Sequence, residues 1–359
     1  MKVGIVGMPN AGKSSLFNAL TRAGAEAANY PFTTIEPNVA MVPVVDPRLE
    51  AVAQTVGASS LVHDTIDFHD IAGLVAGAHQ GEGLGNKFLA NIRETDAILH
   101  VVRAHTDPNV IHPDGRVDPL ADIETIETEL IFADLEQAER RLERVARQAR
   151  GGDKEAVADE AWLHDVIAAL SAGRTVRTVP VPEGVPNALR ELSPLTAKPV
   201  LFVANVDEGS DEVPAAVAEH AAAIGAVAVA VSSRLEAELS ELDDDEAASM
   251  RTDLGIGESS LRRVVDGAFA LLHLLAFFTA GEDKPAQSWH LRHGLTAWHA
   301  AGEIHSDIQK GFVRAEVIGW DALVDAGGYA GARERGTLRV EGRDYVMNDG
   351  DVITIRFTP

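Results

Sequence analysis

Gly7-Met8-Pro9-Asn10-Ala11-Gly12-Lys13-Ser14 has the form G-x-x-x-x-G-K-S, and its neighbours decide how it is read. Before it, Val3 to Val6 is a short apolar run that predicts a buried strand. After it, Ser14 to Arg22 predicts a helix. A glycine-rich turn between strand and helix lets backbone N–H groups curl around phosphate oxygens, and the helix N-terminus adds partial positive charge there. Lys13 is then placed to reach the β- and γ-phosphates and Ser14 to ligate Mg²⁺. Asn10, Ala11, Gly12, Lys13, Ser14 and Ser15 are the candidate phosphate-binding residues. Asn10 is also a candidate for holding a monovalent cation such as K⁺, with a loop-stabilising role as the equal alternative.

Outward from this loop, a strand-like run from Asp67 ends in Asp70-Ile71-Ala72-Gly73. An aspartate there holds Mg²⁺ through a water, and the Gly73 N–H can contact the γ-phosphate and report its presence. Between the two motifs, Tyr30-Pro31-Phe32-Thr33-Thr34 stands where a first switch loop belongs; position does not choose Thr33 from Thr34 as a further Mg²⁺ ligand. Leu74 follows Gly73 where many P-loop hydrolases place a water-orienting Gln, so the attacking water needs another group.

Asn205-Val206-Asp207-Glu208 follows the predicted strand Val200 to Ala204, where guanine-reading proteins carry N-K-x-D. Val206 replaces the Lys and Glu208 the final Asp. The extra methylene of Glu misplaces a paired grip on guanine N1–H and N2–H₂, and losing such hydrogen bonds weakens discrimination strongly. The Asn205 amide suits the N6 amine and N7 of adenine. ATP is therefore the expected nucleotide, with Asp207 as the alternative reader of guanine in a shifted register. Ser232 and Ser233, after the predicted strand Ala226 to Val231, supply backbone amides to the base edge. Asn205, Val206, Glu208, Ser232 and Ser233 complete the candidate nucleotide contacts.

Short apolar strands alternating with helices predict a doubly wound α/β sheet. Ile123, Ile126, Leu130, Leu135, Ala138, Leu142 and Val145 recur at helical spacing, and a second helix is predicted from Asp153 to Leu170, joined to the first at Gly151-Gly152. This antiparallel hairpin is an insertion into the nucleotide domain. After Leu275 the pattern turns β-rich, with strands expected at Leu338 to Val340, Asp344 to Val346 and Val352 to Phe357, and Asn348-Asp349-Gly350-Asp351 as a turn.

The chain has 31 basic and 55 acidic residues, a net charge of −24. Such a field argues against nonspecific coating of nucleic acid, so no DNA partner is expected, although a local basic patch on structured RNA remains compatible. There is no cysteine, which excludes thiolate metal sites and cysteine nucleophiles. No apolar run is long enough to span a membrane, and a cytoplasmic location is expected.

These residues resemble the YchF family, also called Obg-like ATPases, of the translation-factor P-loop class. The likeness runs through Gly7 to Asn18, Ala27 to Asn38, Asp70 to Val75, Gly81 to Asn86, Asn91 to Glu94, Phe277 to Gly281, Ile304 to Asp307, Gly311 to Ile318, Glu341 to Tyr345 and Asp349 to Val352. The resemblance implies a P-loop nucleotide domain (residues 1–120 and 198–275), an inserted α-helical coiled-coil arm (121–197) and a C-terminal β-grasp TGS module (276–359). It implies Mg²⁺-dependent ATP hydrolysis, with a GTPase as the alternative, and Ser14, Thr34 and Asp70 around the metal. It makes His112, in Asn109-Val110-Ile111-His112-Pro113, the substitute for the missing Gln, acting with Lys13 and Gly73; a surface histidine is the equal alternative. It also implies association with the ribosome. Arg140, Arg144 and Arg147 lie on one side of the arm and are candidates for rRNA phosphates, against an exposed helix paired internally with Glu136, Glu139 and Glu143. Without cysteine, any thiol-based switch resides outside this chain.

Overall fold

The computed structural model describes residues 1–27, 38–71, 84–106, 117–254, 256–257 and 259–358. Its strands are β1 (Lys2–Val6), β2 (Val39–Pro43), β3 (Ser60–Val62), β4 (Thr65–Asp70), β5 (Ala97–Arg103), β6 (Val200–Asn205), β7 (Val227–Val231), β8 (Leu274–Thr279), β9 (Pro285–Arg292), β10 (Phe312–Gly319), β11 (Arg339–Glu341) and β12 (Asp351–Phe357). The chain divides into two compact units, Met1–Val42 with Asp67–Leu271 and Pro43–Ile66 with Leu272–Pro359.

The first unit is built on a sheet in the order β2-β4-β1-β5-β6-β7. β4, β1, β5, β6 and β7 pair in parallel. β5 and β6 are buried at every position, as befits central strands covered on both faces. Register carries the functional consequence. Ile5 pairs Asp70, Arg103 pairs Asn205, and Asn205 pairs Val231. The carboxyl ends of β1, β4, β5, β6 and β7 therefore share one edge, where open parallel sheets bind ligands.

The helix Pro119–Ala149 starts from Asp118, whose side chain accepts from the Ala121 N–H, with Pro119 in the first turn, where its missing donor costs nothing. Its 31 residues run about 46 Å at 1.5 Å per residue. The predicted apolar stripe serves two cores in succession. Ile123, Ile126 and Leu130 pack with Phe202 and Ile98 of the sheet. Ala138 and Val145 pack with Trp162, Leu163 and Val166 of the second helix, Lys154–Ser171. One rigid element thus belongs to both the nucleotide sheet and the arm. Asp134 takes the N–H groups of Leu195 and Thr196, each at 2.8 Å, and so fixes where the chain returns toward β6.

The second unit has the sheet order β11-β10-β12-β8-β9-β3. β8 and β9 form an antiparallel pair, β12 runs parallel to β8, and β10 joins β12 and β11 in antiparallel fashion. Two sequence expectations change here. Residues 43–66, expected in the nucleotide domain, fold with the C-terminal residues because β3 finds a backbone partner along β9 from Pro285 to Gln287. The Asp64 N–H also donates to Ser288 Oγ, and its carboxylate pairs with His290. Asp344 to Val346 forms no strand, only an isolated bridge from Val346 to Thr296. The carbonyls of Arg343 and Tyr345 are instead turned onto the N–H groups of Trp298 and Ala297, opening the helix Ala297–Ile304.

Candidate functional site

The loop after β1 is shaped by backbone that only small residues permit. Gly12 has φ +99°, and a Cβ there would stand 2.1 Å from the Asn205 amide nitrogen. A Cβ on Gly7 would stand 2.3 Å from the Val101 carbonyl oxygen of β5. Asn10 adopts φ 62°, a left-handed conformation that asparagine tolerates better than most residues. The helix Lys13–Ala27 follows at once, with Ser14 exposed and Lys13 buried.

Lys13 Nζ donates to the carbonyls of Gly7 at 3.0 Å and Met8 at 2.8 Å. Burial pulls its ammonium below the ordinary lysine range, partly opposed by the charge of Asp70. Asp70, ending β4, shows the mirror effect: burial raises its carboxyl above the usual range, and Lys13 partly opposes this. The two charges feel each other at the mouth of the loop. Both are only partly compensated, as befits groups that receive a phosphate and its counter-cation.

A cavity of about 710 Å³ opens on this edge of the sheet. The phosphate loop lines one end, through Asn10 and Gly12 to Ser15. Val206, Asp207, Glu208, Ser232, Ser233 and Arg234 line the other. His105 and Thr106, beyond β5, complete the wall. Neither was singled out from sequence. The general signal was present, since both follow a parallel strand at its carboxyl end.

Asn205 has a different place from the one expected. Its amide nitrogen donates to the Ala11 carbonyl at 2.9 Å, and its side-chain oxygen accepts from the Ser233 N–H at 3.0 Å. The side chain is buried and braces the phosphate loop against the loop after β7, and Asn205 also lines the cavity. Val206 also turns inward, packing with Ala204 and Ala230. Asp207 is captured from the opposite side: its carboxylate accepts from the Thr106 N–H at 3.0 Å and from the Thr106 hydroxyl at 3.1 Å. Glu208 is exposed toward the cavity, with Arg234 Nε 3.4 Å from its carboxylate.

Beneath the loop after β7, Glu236 is buried and takes Arg251, the Ser259 hydroxyl, and both the N–H and hydroxyl of Ser260. Burial alone would raise its carboxyl, but hydrogen bonds from Arg251 and Ser260 outweigh that and hold it below the usual range. This anchors the segment carrying Ser232 to Arg234. His100, fully buried on β5, is pushed down to about 3 by burial, then by His220 and Lys13, and stays neutral.

The lining fits a nucleoside triphosphate. The Ser233 hydroxyl is fully buried with no hydrogen-bond partner, and Gly7 and Gly12 let the loop pack against β5 and Asn205 where a Cβ would collide. The hydroxyl of Ser14 and the carboxylate of Asp70 are hard oxygen donors of the kind Mg²⁺ takes. Among the described residues no cluster of three His, Cys, Asp or Glu could hold a metal unaided. Thr34, Gly73, Leu74 and His112 lie outside the described residues. Of the arm arginines, Arg141 is buried between Asp159 at 2.7 Å and Glu191 at 2.8 Å, and Arg140 pairs with Glu136.

Known proteins match this chain along its whole length. Residues 2–135 match the family model described as 50S ribosome-binding GTPase, and residues 274–358 match YchF-GTPase_C, described as a protein of unknown function. A protein of Haemophilus influenzae named ribosome-binding ATPase YchF is 49% identical over 99% of both chains. Its namesake in Bacillus subtilis is 46% identical over 99% of both. The solved structure titled Schizosaccharomyces pombe YchF GTPase superposes with a TM-score of 0.88 at 33% identity, covering 99% of this chain and 97% of that one. A GTP-binding protein from Pyrococcus horikoshii, at 20% identity and a TM-score of 0.64, shares the fold. Among the described residues no helix is long and apolar enough to cross a membrane.

Proposed function

This chain belongs to the YchF family, and from that premise we propose that it is a ribosome-binding ATPase whose nucleotide state sets its association with the ribosome. The names of its relatives divide between ATPase and GTPase, so the base must be argued from the site. The observation that carries the adenine reading is the capture of Asp207 by Thr106. The carboxylate that offers guanine its alternative reader is spent on protein, and Glu208 is left to face the base. Val206, packed inward, supplies no lysine stem to lie along a guanosine.

Mg²⁺ is the proposed cofactor: Ser14, Thr34 and Asp70 would hold it, Asp70 through a water, and it would neutralise charge on the phosphates. Lys13 donates to the β- and γ-oxygens, giving up its contacts to the Gly7 and Met8 carbonyls. The Gly73 N–H reports the γ-phosphate. His112 orients the attacking water, since Leu74 has no group for it. Asn10 is the proposed contact for K⁺. The helical arm (121–197) and the C-terminal module (276–359), read as a TGS β-grasp unit, carry the ribosome contact, with Arg144 and Arg147 offered to rRNA. A cytoplasmic location follows from that partner.

Sedimentation through a sucrose cushion with purified ribosomes, with ATP, ADP or no nucleotide, tests this directly. Affinity for ribosomes that changes at least about fivefold between ATP and ADP, the low end of ordinary coupling between two sites, is expected, alongside Mg²⁺-dependent release of phosphate from ATP. Nucleotide-independent pelleting, or no pelleting at all, would refute the switch.

A further inference from the structure

The sequence singles out Glu208 at the base end of the cavity but says nothing of what holds its carboxylate. Glu is longer than the Asp it replaces and its side chain is exposed, so left alone it samples several rotamers. Selectivity between adenine and guanine needs the opposite. A carboxylate fixed beside the amine of adenine accepts its N6–H₂ and repels the O6 carbonyl of guanine. One free to swing can accept guanine N1–H and N2–H₂ instead.

The structure supplies the constraint on the neighbouring loop. Arg234 stands in the first turn of the helix Ser233–Leu239, directly after β7, and lines the same cavity. Its Nε lies 3.4 Å from a Glu208 carboxylate oxygen and 3.1 Å from one of Glu238, an i,i+4 neighbour on its own helix. Glu238 sets the guanidinium, and the guanidinium draws Glu208 toward the loop after β7. The Arg234 side chain is exposed, but its backbone is braced: Ser233 is fully buried, its N–H is bound to Asn205, and Glu236 is anchored by Arg251 and Ser260. Two carboxylates share one guanidinium, so this corner keeps net negative charge and favours an amine over a carbonyl.

We infer that Arg234 is a specificity-determining positioning residue, which holds Glu208 in the pose that admits adenine and rejects bases with a 6-carbonyl. The inference rests on the reading of this cavity as an ATP site. It assigns Arg234 no contact with the phosphates or the reacting water.

The test is equilibrium binding of ATP, GTP and ITP, whose hypoxanthine has the 6-carbonyl and N1–H but no 2-amine, to wild type, Arg234→Ala and Arg234→Lys. Arg234→Ala is expected to lower the ATP-over-GTP preference by about two- to fivefold, the upper range of an exposed ion pair. ITP should gain in parallel with GTP. Arg234→Lys, which keeps the charge but not the planar fork, should restore part of the preference. If wild type prefers ATP and Arg234→Ala keeps that ratio within twofold, the inference is overturned while the ATP assignment stands. If wild type prefers GTP, the ATP assignment itself has failed.

Discussion

Replacing Lys13 by alanine is expected to lower the rate of ATP hydrolysis by at least about a hundredfold, the scale for losing one preorganised charged donor from a water-poor site. The physical case is already visible without nucleotide. Lys13 is buried in the loop, carries an ammonium weakened by desolvation, and satisfies it on the Gly7 and Met8 carbonyls. Phosphate oxygens are better partners than neutral carbonyls, so binding releases that compromise. Phosphate release under single-turnover conditions, with circular dichroism to establish folding, checks the prediction; a folded variant with more than a tenth of wild-type turnover would contradict it. Ribosome pelleting by the same variant separates two readings of the protein. If association stays unchanged in every nucleotide state, the nucleotide only stabilises the fold and turnover is incidental, an alternative that Leu74 keeps open.

Gly7→Ala is expected to weaken nucleotide binding more than tenfold and to destabilise the first unit by about 2 kcal/mol, the middle of the range for overpacking. The new methyl would meet the Val101 carbonyl at 2.3 Å, and that carbonyl belongs to a fully buried central strand that cannot yield cheaply. Gly209→Ala is the matched control. It also has a positive φ, +80°, but its Cβ would meet nothing within 4 Å, so only backbone strain remains and nucleotide binding should survive. Thermal unfolding with and without ATP reads both effects. Equal behaviour of the two variants would show that the close approach to β5 is not what requires glycine at position 7.

The phosphate loop was legible in the sequence because its requirements are local. Backbone that must curl around anions demands glycine at fixed spacing, and a strand before and a helix after are written in the adjacent apolar pattern. The arm was legible for the same reason, although its stripe did not reveal that Ile123 to Leu130 pack on the sheet while Ala138 and Val145 pack within the arm. The brace made by Asn205 and the capture of Asp207 by Thr106 were not legible. They depend on the register of β5, β6 and β7 and join residues about a hundred or more positions apart. Motif reasoning gave Asn205 to the base because an amide suits adenine; the structure uses that amide to hold two loops together. β10 was not legible because Phe312 to Gly319 bury only Ala315, Val317 and Ile318, a weak alternation, whereas β8 is a continuous apolar run that periodicity alone does not separate from a buried helix. The pairing of residues 43–66 with β9 is equally non-local.

What most directly tests the central claim, that the cavity is built for adenine, is the affinity for ATP against GTP with Mg²⁺, on wild type and on Glu208→Asp. Wild type should bind ATP at least tenfold more tightly, about 1.4 kcal/mol, and the shorter aspartate should erode that preference. Equal or tighter binding of GTP by wild type would mean that Asp207 leaves Thr106 to read guanine, and would contradict both the role of Glu208 and the assignment of ATP as substrate.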